Sequence, residues 1–210
     1  DDAEAASEDT NRDPRNRKLA ARKYLLIPKL KENIEADLKK GTINLETLKA
    51  LTNTDKKKSE FVAVLVKPNR EILENIKDLK LDYYQIYDCT PEEIMSIKKK
   101  YDKKIISVIT VENKSDIQKY KKFISFSEII LFDSKGYEKS IAFDHSMLEN
   151  IPDNFNKMVA GNIQFDDDID KFKKICNYID ISGGLESSGL KNISKIDIFL
   201  NKIKQVNNEN

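Results

Sequence analysis

The feature that most narrows what this chain can fold into is a rhythm. Short apolar runs rich in β-branched residues alternate with longer amphipathic ones, and the apolar runs recur every ~21 to 29 residues, most often every 22 or 23. They fall at 61–66 (FVAVLV), 83–87 (YYQIY), 105–111 (IISVITV), 128–133 (EIILFD), 157–160 (KMVA) and 178–182 (YIDIS). Between them, 69–79, 91–101, 114–123, part of 145–150 and 167–177 read as helices, and a last helix covers 193–206. Several starts carry recognisable signals. Pro91 precedes Glu92 and Glu93, Asn192 precedes Ile193, and aspartates occupy 166–168. A proline suits the first helical turn, a short polar side chain caps it, and acids offset its dipole. Strands that are apolar throughout are covered on both faces, and their alternation with helices makes them parallel.

Two parallel architectures compete, a doubly wound sheet and a (β/α)8 barrel. No strand is followed by G-x-G-x-x-G or by G-x-x-x-x-G-K-[ST], the turns that cradle nucleotide phosphates. Polar and glycine residues gather instead after the last strands: Asp133-Ser134-Lys135-Gly136, Gly161-Asn162 and Ser182-Gly183-Gly184. Barrels place their chemistry at that edge and bind phosphate after strands seven and eight. The fold expected is therefore α/β of the (β/α)8 TIM-barrel type, incomplete or with an atypical N-terminal part.

That last clause comes from composition. Four of the five arginines (Arg12, Arg15, Arg17, Arg22) lie in the first 22 residues, whereas lysine is the dominant base beyond Gly41. The opening residues are acidic and lack large apolar side chains, the signature of disorder. From 13 to 40, Leu19, Leu26, Leu30, Ile34 and Leu38 recur at helical spacings, with Pro28 as a kink and Gly41 as a stop. A short strand at 24–27, ended by the proline, fits the same residues equally well. The chain divides on this reading into a charged, partly disordered helical segment, 1–40, and a barrel domain, 41–210. The segment 13–40 is where a homo-oligomer or a larger assembly would form.

Charge and cysteine usage exclude several functions. Lys+Arg total 37 against 36 Asp+Glu, a net charge of +1 that offers no basic stripe for a phosphate backbone, so no nucleic-acid partner is expected. No apolar run approaches the roughly 20 residues that span a bilayer, and no signal peptide opens the sequence, so no membrane partner is expected. Cys89 and Cys176 lack C-x-x-C spacing and suggest neither a disulfide framework nor structural zinc. A reducing cytoplasmic setting fits. Asp166-Asp167-Asp168 is better explained as a helix start than as a metal site, and no metal is expected.

The segment Ile179-Asp180-Ile181-Ser182-Gly183-Gly184-Leu185-Glu186, continued by Ser187-Ser188-Gly189-Leu190-Lys191-Asn192, resembles the closing signature of phosphoribosylanthranilate isomerases, V-D-V-S-S-G-V-E followed by P-G-x-K-D. The segment at 61–69, FVAVLVKPN, resembles that family's V-G-V-F-V-N strand. Ile130-Leu131-Phe132-Asp133-Ser134 resembles its L-L-L-D-S, and Val159-Ala160-Gly161-Asn162-Ile163 its L-A-G-G-L. The resemblance covers roughly residues 42 to 204. It implies an Amadori rearrangement of N-(5-phosphoribosyl)anthranilate in tryptophan biosynthesis, a phosphorylated sugar–anthranilate substrate, and no cofactor. It places the general acid at Asp133. Gly161, Asn162, Ser182, Gly183 and Gly184 fall where the family binds phosphate and substrate, and Asp180 on a strand residue that organises the site.

The departures matter as much. The family's base is a cysteine within a first-strand K-I-C-G, which these 210 residues lack. The strand at 61 matches the family's third, and residues 1–40 resemble neither of the first two units. The substrate arginine of S-P-R-Y finds no counterpart in Lys39-Lys40-Gly41-Thr42-Ile43-Asn44. Q-L-H-G becomes Gln85-Ile86-Tyr87-Asp88, so tyrosine stands where the histidine would be, and 137–142 replace a G-G-T-G loop. Cys89 reads as inert packing rather than a substitute base, Cys176 as core, His145 as capping or surface, and Tyr83, Tyr84 and Tyr87 as strand packing. Lost bases commonly cost on the order of 10² to 10⁴ in rate. Two readings therefore stand: an isomerase with reduced or lost activity, or a non-catalytic scaffold whose N-terminal helix docks on a partner.

Overall fold

The computed structural model describes residues 24–30, as backbone, together with 45–55, 59–135 and 143–208. Strand β1 (Tyr24–Leu30) is followed by helix α1 (Leu45–Thr52), β2 (Glu60–Val66), α2 (Arg70–Ile76), β3 (Tyr83–Tyr87) and α3 (Pro91–Tyr101). Then come β4 (Lys104–Val111), α4 (Lys114–Ile117) with a 3-10 turn (Gln118–Lys122), β5 (Ile129–Ser134) and a second 3-10 turn (His145–Leu148). The chain continues through β6 (Lys157–Val159), α5 (Asp170–Lys173), β7 (Tyr178–Ile179), a hairpin of β8 (Glu186–Ser187) and β9 (Leu190–Lys191), and α6 (Ile193–Asn208).

The seven strands β1 to β7 lie in chain order, each parallel to the next. Doubly wound sheets reverse their order at a switch point; a barrel sheet does not. A second observation agrees with the barrel. Buried residues form two clusters on opposite faces of the sheet. The outer one includes Phe61, Ala63, Leu65, Tyr84, Ile86, Ile105, Ile109, Phe132 and Val159 and packs against the helices. The inner one joins Val62, Tyr83, Ile106, Ile129, Leu131, Met158 and Ala160, from five strands. The inner cluster is buried although no residue of a described helix belongs to it, which a flat sheet face would not achieve, so the sheet curls over its own inner side chains. Among the described residues no pairing joins β7 to β1.

The strand at 24–30 decides the open alternative and corrects part of the expectation for 1–40. Tyr24–Ile27 pair in register with Glu60–Ala63, so this stretch is strand, not helix, and occupies the place before β2. The register shifts between Ile27 and Leu30, around Pro28, which has no N–H to donate to a ladder. The boundary at residue 40 therefore has one strand of the sheet on its far side. The rest of the helical reading, 13–23 and 31–40, lies outside the described residues.

Local chemistry explains the best-formed helix. Thr90 accepts from the Glu93 N–H while Glu93 reaches back to the Thr90 N–H, Pro91 opens the first turn, and Asp102 closes the helix in the left-handed region. The aspartates at 166–168 behave differently from expectation. Asp167 accepts from the Gln164 N–H at 3.1 Å and Asp168 from the Asp170 N–H at 3.0 Å. They tie down turns, so the helix is only Asp170–Lys173 rather than 167–177. Among the described residues no group of three acidic, His or Cys side chains is placed to hold a metal ion. Likewise, no described helix is long and apolar enough to cross a membrane.

Candidate active site at the C-terminal edge of the sheet

Side chains alternate across a strand, so the inner cluster tells which polar residues also face the barrel interior. Tyr83 and Leu131 belong to that cluster, which places Gln85 and Tyr87 of β3 and Asp133 of β5 on the same face, nearer the C-terminal edge. Tyr178 packs against it too, which puts Asp180, just beyond β7, on that face. The ladder continues past the strand end: the Asp180 N–H donates to the Val159 carbonyl at 2.8 Å, fixing the aspartate's backbone.

Three of these side chains form one hydrogen-bonded chain, and Asp180 lies close enough to feel the charge of Asp133. The Tyr87 hydroxyl donates to Asp133 Oδ2 at 2.8 Å, and the Gln85 amide donates to the Tyr87 oxygen at 3.3 Å. Gln85 and Tyr87 are 2% and 7% exposed, so both bonds lie in a desolvated interior. Asp180 keeps part of its surface open to the barrel mouth but is deeply surrounded by protein. Burial, and then the negative charge of Asp133, push its carboxyl up to about 6. The Gln85 side chain and the Lys191 ammonium act in the opposite direction. Burial and the two aspartates also raise the Tyr87 phenol, so it stays protonated and serves as a donor.

The rim of the site is built from turns. Lys67 after β2, Asp88 after β3, and Gly161 and Asn162 after β6 all have positive φ, at 42°, 57°, 90° and 51°. Unusual backbone of this kind concentrates at functional edges. Gly161 has a steric reason as well: a Cβ there would lie 1.9 Å from Ser134 Oγ. Gly184 pairs with Gln164 in a parallel bridge, and a Cβ there would lie 2.2 Å from the Ile163 carbonyl oxygen. The turns after β6 and β7 are thereby zipped together. Gly183 differs, being exposed with nothing within 4 Å of a Cβ, so its backbone is approachable. Lys191 stabilises this turn by donating to both the carbonyl and the hydroxyl of Ser182 at 3.0 Å.

All seven residues singled out from sequence thus lie at one edge, in two parts. Asp133 and Asp180 share the interior; Gly161, Asn162, Ser182, Gly183 and Gly184 form the rim. Asp180 stands with the acid rather than with the glycine turns. Tyr87, read from the sequence as strand packing in the place of the family's histidine, instead donates to Asp133, while Gln85 and Lys191 were given no role. The available signal was weak: a Q-x-Y alternation that puts two polar groups on one face of an otherwise apolar strand.

The remaining candidates fall away from this centre. Cys89 lines a surface groove between α2 and α3, beside Lys67, Arg70, Leu73 and Ile97. Burial and the nearby Glu93 and Asp88 push its thiol up to about 11, the reverse of what a base or nucleophile needs. Cys176 is buried core. His145 is not a cap, since Asp144 fills that role; its ring packs against Phe143 and Phe172, and burial lowers its pKa.

Comparison with known proteins agrees with this fold. The family model described as N-(5'phosphoribosyl)anthranilate (PRA) isomerase matches residues 23–202. An N-(5'-phosphoribosyl)anthranilate isomerase from Campylobacter jejuni is 35% identical over 154 residues, spanning 71% of this chain and 74% of its own length. One from Rhizobium johnstonii is 30% identical over 161 residues, spanning 71% and 72%. Among solved structures, phosphoribosyl anthranilate isomerase from Thermotoga maritima superposes with a TM-score of 0.71 at 19% identity, covering 89% of this chain and all of that one. A phosphoribosyl anthranilate isomerase in complex with reduced 1-(o-carboxyphenylamino)-1-deoxyribulose 5-phosphate gives 0.66 at 20% identity, covering 78% and 81%.

Proposed function

This chain belongs to the N-(5'-phosphoribosyl)anthranilate isomerase family, and from that we propose that it binds phosphoribosylanthranilate and carries out its Amadori rearrangement in tryptophan biosynthesis. The observation that carries the reading is the placement of Asp133. It lies at the inner end of β5, hydrogen-bonded to Tyr87 and beside Asp180, within a ring of turns at the same edge. Opening the ribose ring requires a proton delivered to the ring oxygen, and Asp133 is the group we assign to that step. The substrate's phosphate would be gripped by the turns at Gly161–Asn162 and 182–184, where the exposed Gly183 lets an anion reach backbone N–H groups. Asp180 would face the sugar–anthranilate from the β7 side. Cys89 and Cys176, neither in a disulfide, suit the reducing cytoplasm in which such a biosynthetic step would run.

The second half of the rearrangement removes a proton from the sugar's C2, and the family's K-I-C-G base is not found in these 210 residues. That observation favours the second reading, a binding scaffold without turnover. One experiment separates them. Phosphoribosylanthranilate consumption is followed by fluorescence with the protein and its Asp133→Asn variant, and binding of a reduced product analogue is measured by calorimetry. Turnover lost in the variant with binding retained supports the isomerase. Binding without turnover supports the scaffold. Absence of both overturns the proposal.

A further inference from the structure

The rearrangement needs a base as well as an acid, and the barrel interior holds a second carboxylate. We propose that Asp180 is the general base that removes the proton from the sugar's C2, working opposite Asp133 across Ala160. This deepens the isomerase reading and rests on it.

Strand register carries the assignment. Phe132, Val159 and Ile179 lie in one row across β5, β6 and β7. The ladder runs on past them: the Ala160 N–H donates to the Phe132 carbonyl at 2.9 Å, and the Asp180 N–H to the Val159 carbonyl at 2.8 Å. The next row is therefore Asp133, Ala160 and Asp180. Leu131, Met158 and Ala160 belong to the inner cluster and Tyr178 packs against it, so alternation turns all three side chains of that row to the barrel interior. Neighbouring strands lie about 4.8 Å apart, which sets the two aspartate backbones roughly 10 Å apart along the sheet. Only the methyl group of Ala160 stands between them, so the row forms a slot with a carboxyl on either side. A sugar lying over Ala160 would meet both.

The proton transfers then balance within the slot. Asp133, held by the Tyr87 hydroxyl at 2.8 Å, gives its proton to the ring oxygen as the C1–O bond breaks and the anthranilate nitrogen's lone pair forms C1=N. Asp180 takes the C2 proton, the C2–H electron pair forms C1=C2, and the C1=N pair returns to nitrogen. The resulting enol becomes the ketone when its hydroxyl loses a proton and C1 gains one, so no oxidant or reductant is required. The surroundings of Asp180 suit the role. Burial and the charge of Asp133 on β5 push its carboxyl up to about 6, while Gln85 of β3 and Lys191 of β9 act the other way. Tyr87 of β3 feels the charge of both aspartates. A carboxylate of that basicity is ionised at neutral pH and accepts a proton more readily than an unperturbed aspartate.

The test uses the full chain, with turnover followed by fluorescence and circular dichroism confirming that each variant is folded. In the unaltered protein kcat/KM falls as pH drops through about 6, where the base takes up its proton. Asp180→Asn lowers kcat by on the order of 10² to 10⁴-fold while calorimetric binding of the reduced product analogue is kept. Asp180→Ala, equally slow, regains turnover on addition of formate, a small carboxylate that fits the vacated space. A residue that only shaped the site would not respond to formate. Turnover retained in Asp180→Asn, or a kcat/KM profile flat through that pH, overturns the base and leaves the isomerase reading standing. Analogue binding lost in step with turnover, or formate without effect, makes Asp180 a binding residue and overturns the proposal as well. No turnover in the unaltered protein removes the isomerase reading and the base together, so the two failures are distinguishable.

Discussion

Replacing Asp180 by asparagine should make this protein more stable at neutral pH while abolishing its activity. The carboxyl is pushed from 3.8 up to about 6 in the folded protein, mainly by burial and then by Asp133. A raised acid pKa means that the folded state holds the proton more tightly than the unfolded chain. The resulting stabilisation is complete below 3.8 and disappears as pH rises through about 6. At pH 7.5 Asp180 is ionised in both states, and its charge costs the fold roughly 3 kcal/mol, at about 1.36 kcal/mol per pH unit. At pH 4.5 the same linkage gives about 1 kcal/mol. Asparagine keeps the shape but carries no charge. These are upper values, because part of Asp180 remains open to the barrel mouth. The assay is urea denaturation of both proteins at the two pH values. The variant should gain between about 1 and 3 kcal/mol at pH 7.5 and clearly less at pH 4.5. A variant less stable at pH 7.5, or a gain equal at both pH values, refutes the assignment of a buried, strained charge. Activity bought with such strain is a common trade in enzyme sites.

Three further outcomes follow from the same geometry. Lys157 is fully buried and donates to the Ile151 carbonyl at 2.8 Å and to Asp153 at 2.6 Å. Lys157→Ala should cost about 3 kcal/mol in denaturant titrations, and a loss below ~1 kcal/mol would refute that role. Gly184→Ala should lower Tm strongly because its Cβ would lie 2.2 Å from a backbone oxygen, whereas Gly183→Ala, with open space around it, should melt near the unaltered protein. Equal effects would sink the distinction between a packed and an approachable turn. Cys89, its thiol pushed up to about 11, should react with iodoacetamide far more slowly at pH 7.5 than an unperturbed thiol. Cys89→Ser should leave isomerase activity unchanged, and lost activity there would reopen the question of the base.

The elements most legible in the sequence are those whose strands are buried on both faces. The runs at 61–66, 83–87 and 105–111 need apolar residues at every position, so they appear within a residue of β2, β3 and β4. Helix Pro91–Tyr101 was equally plain because its capping box is local. Legibility falls where a run is short. Tyr24–Leu30 satisfies both a helical spacing and a strand, and only pairing with β2 decides between them. The strands at 157 and 178 are shorter than their apolar runs, because turns pinned by glycines and side chains end the ladder early. The hairpin Glu186–Lys191 and helix Leu45–Thr52 carried no signal that was recognised.

By itself, the sequence determined the parallel α/β alternation and the family, and it singled out Asp133 as the candidate acid. These depend on residue type and spacing along the chain, which local sterics and hydrophobic burial translate directly. Only the tertiary structure decided that Asp180 lies close to Asp133, that Tyr87 reaches an acid 46 residues away, and that Gln85 backs that tyrosine. Period-two alternation tells which residues share a face, but not which face closes into the barrel. Nor does it tell which strand lies across the interior. The raised carboxyl of Asp180 is a property of that enclosure, since desolvation and a facing charge exist only once distant strands have curled together.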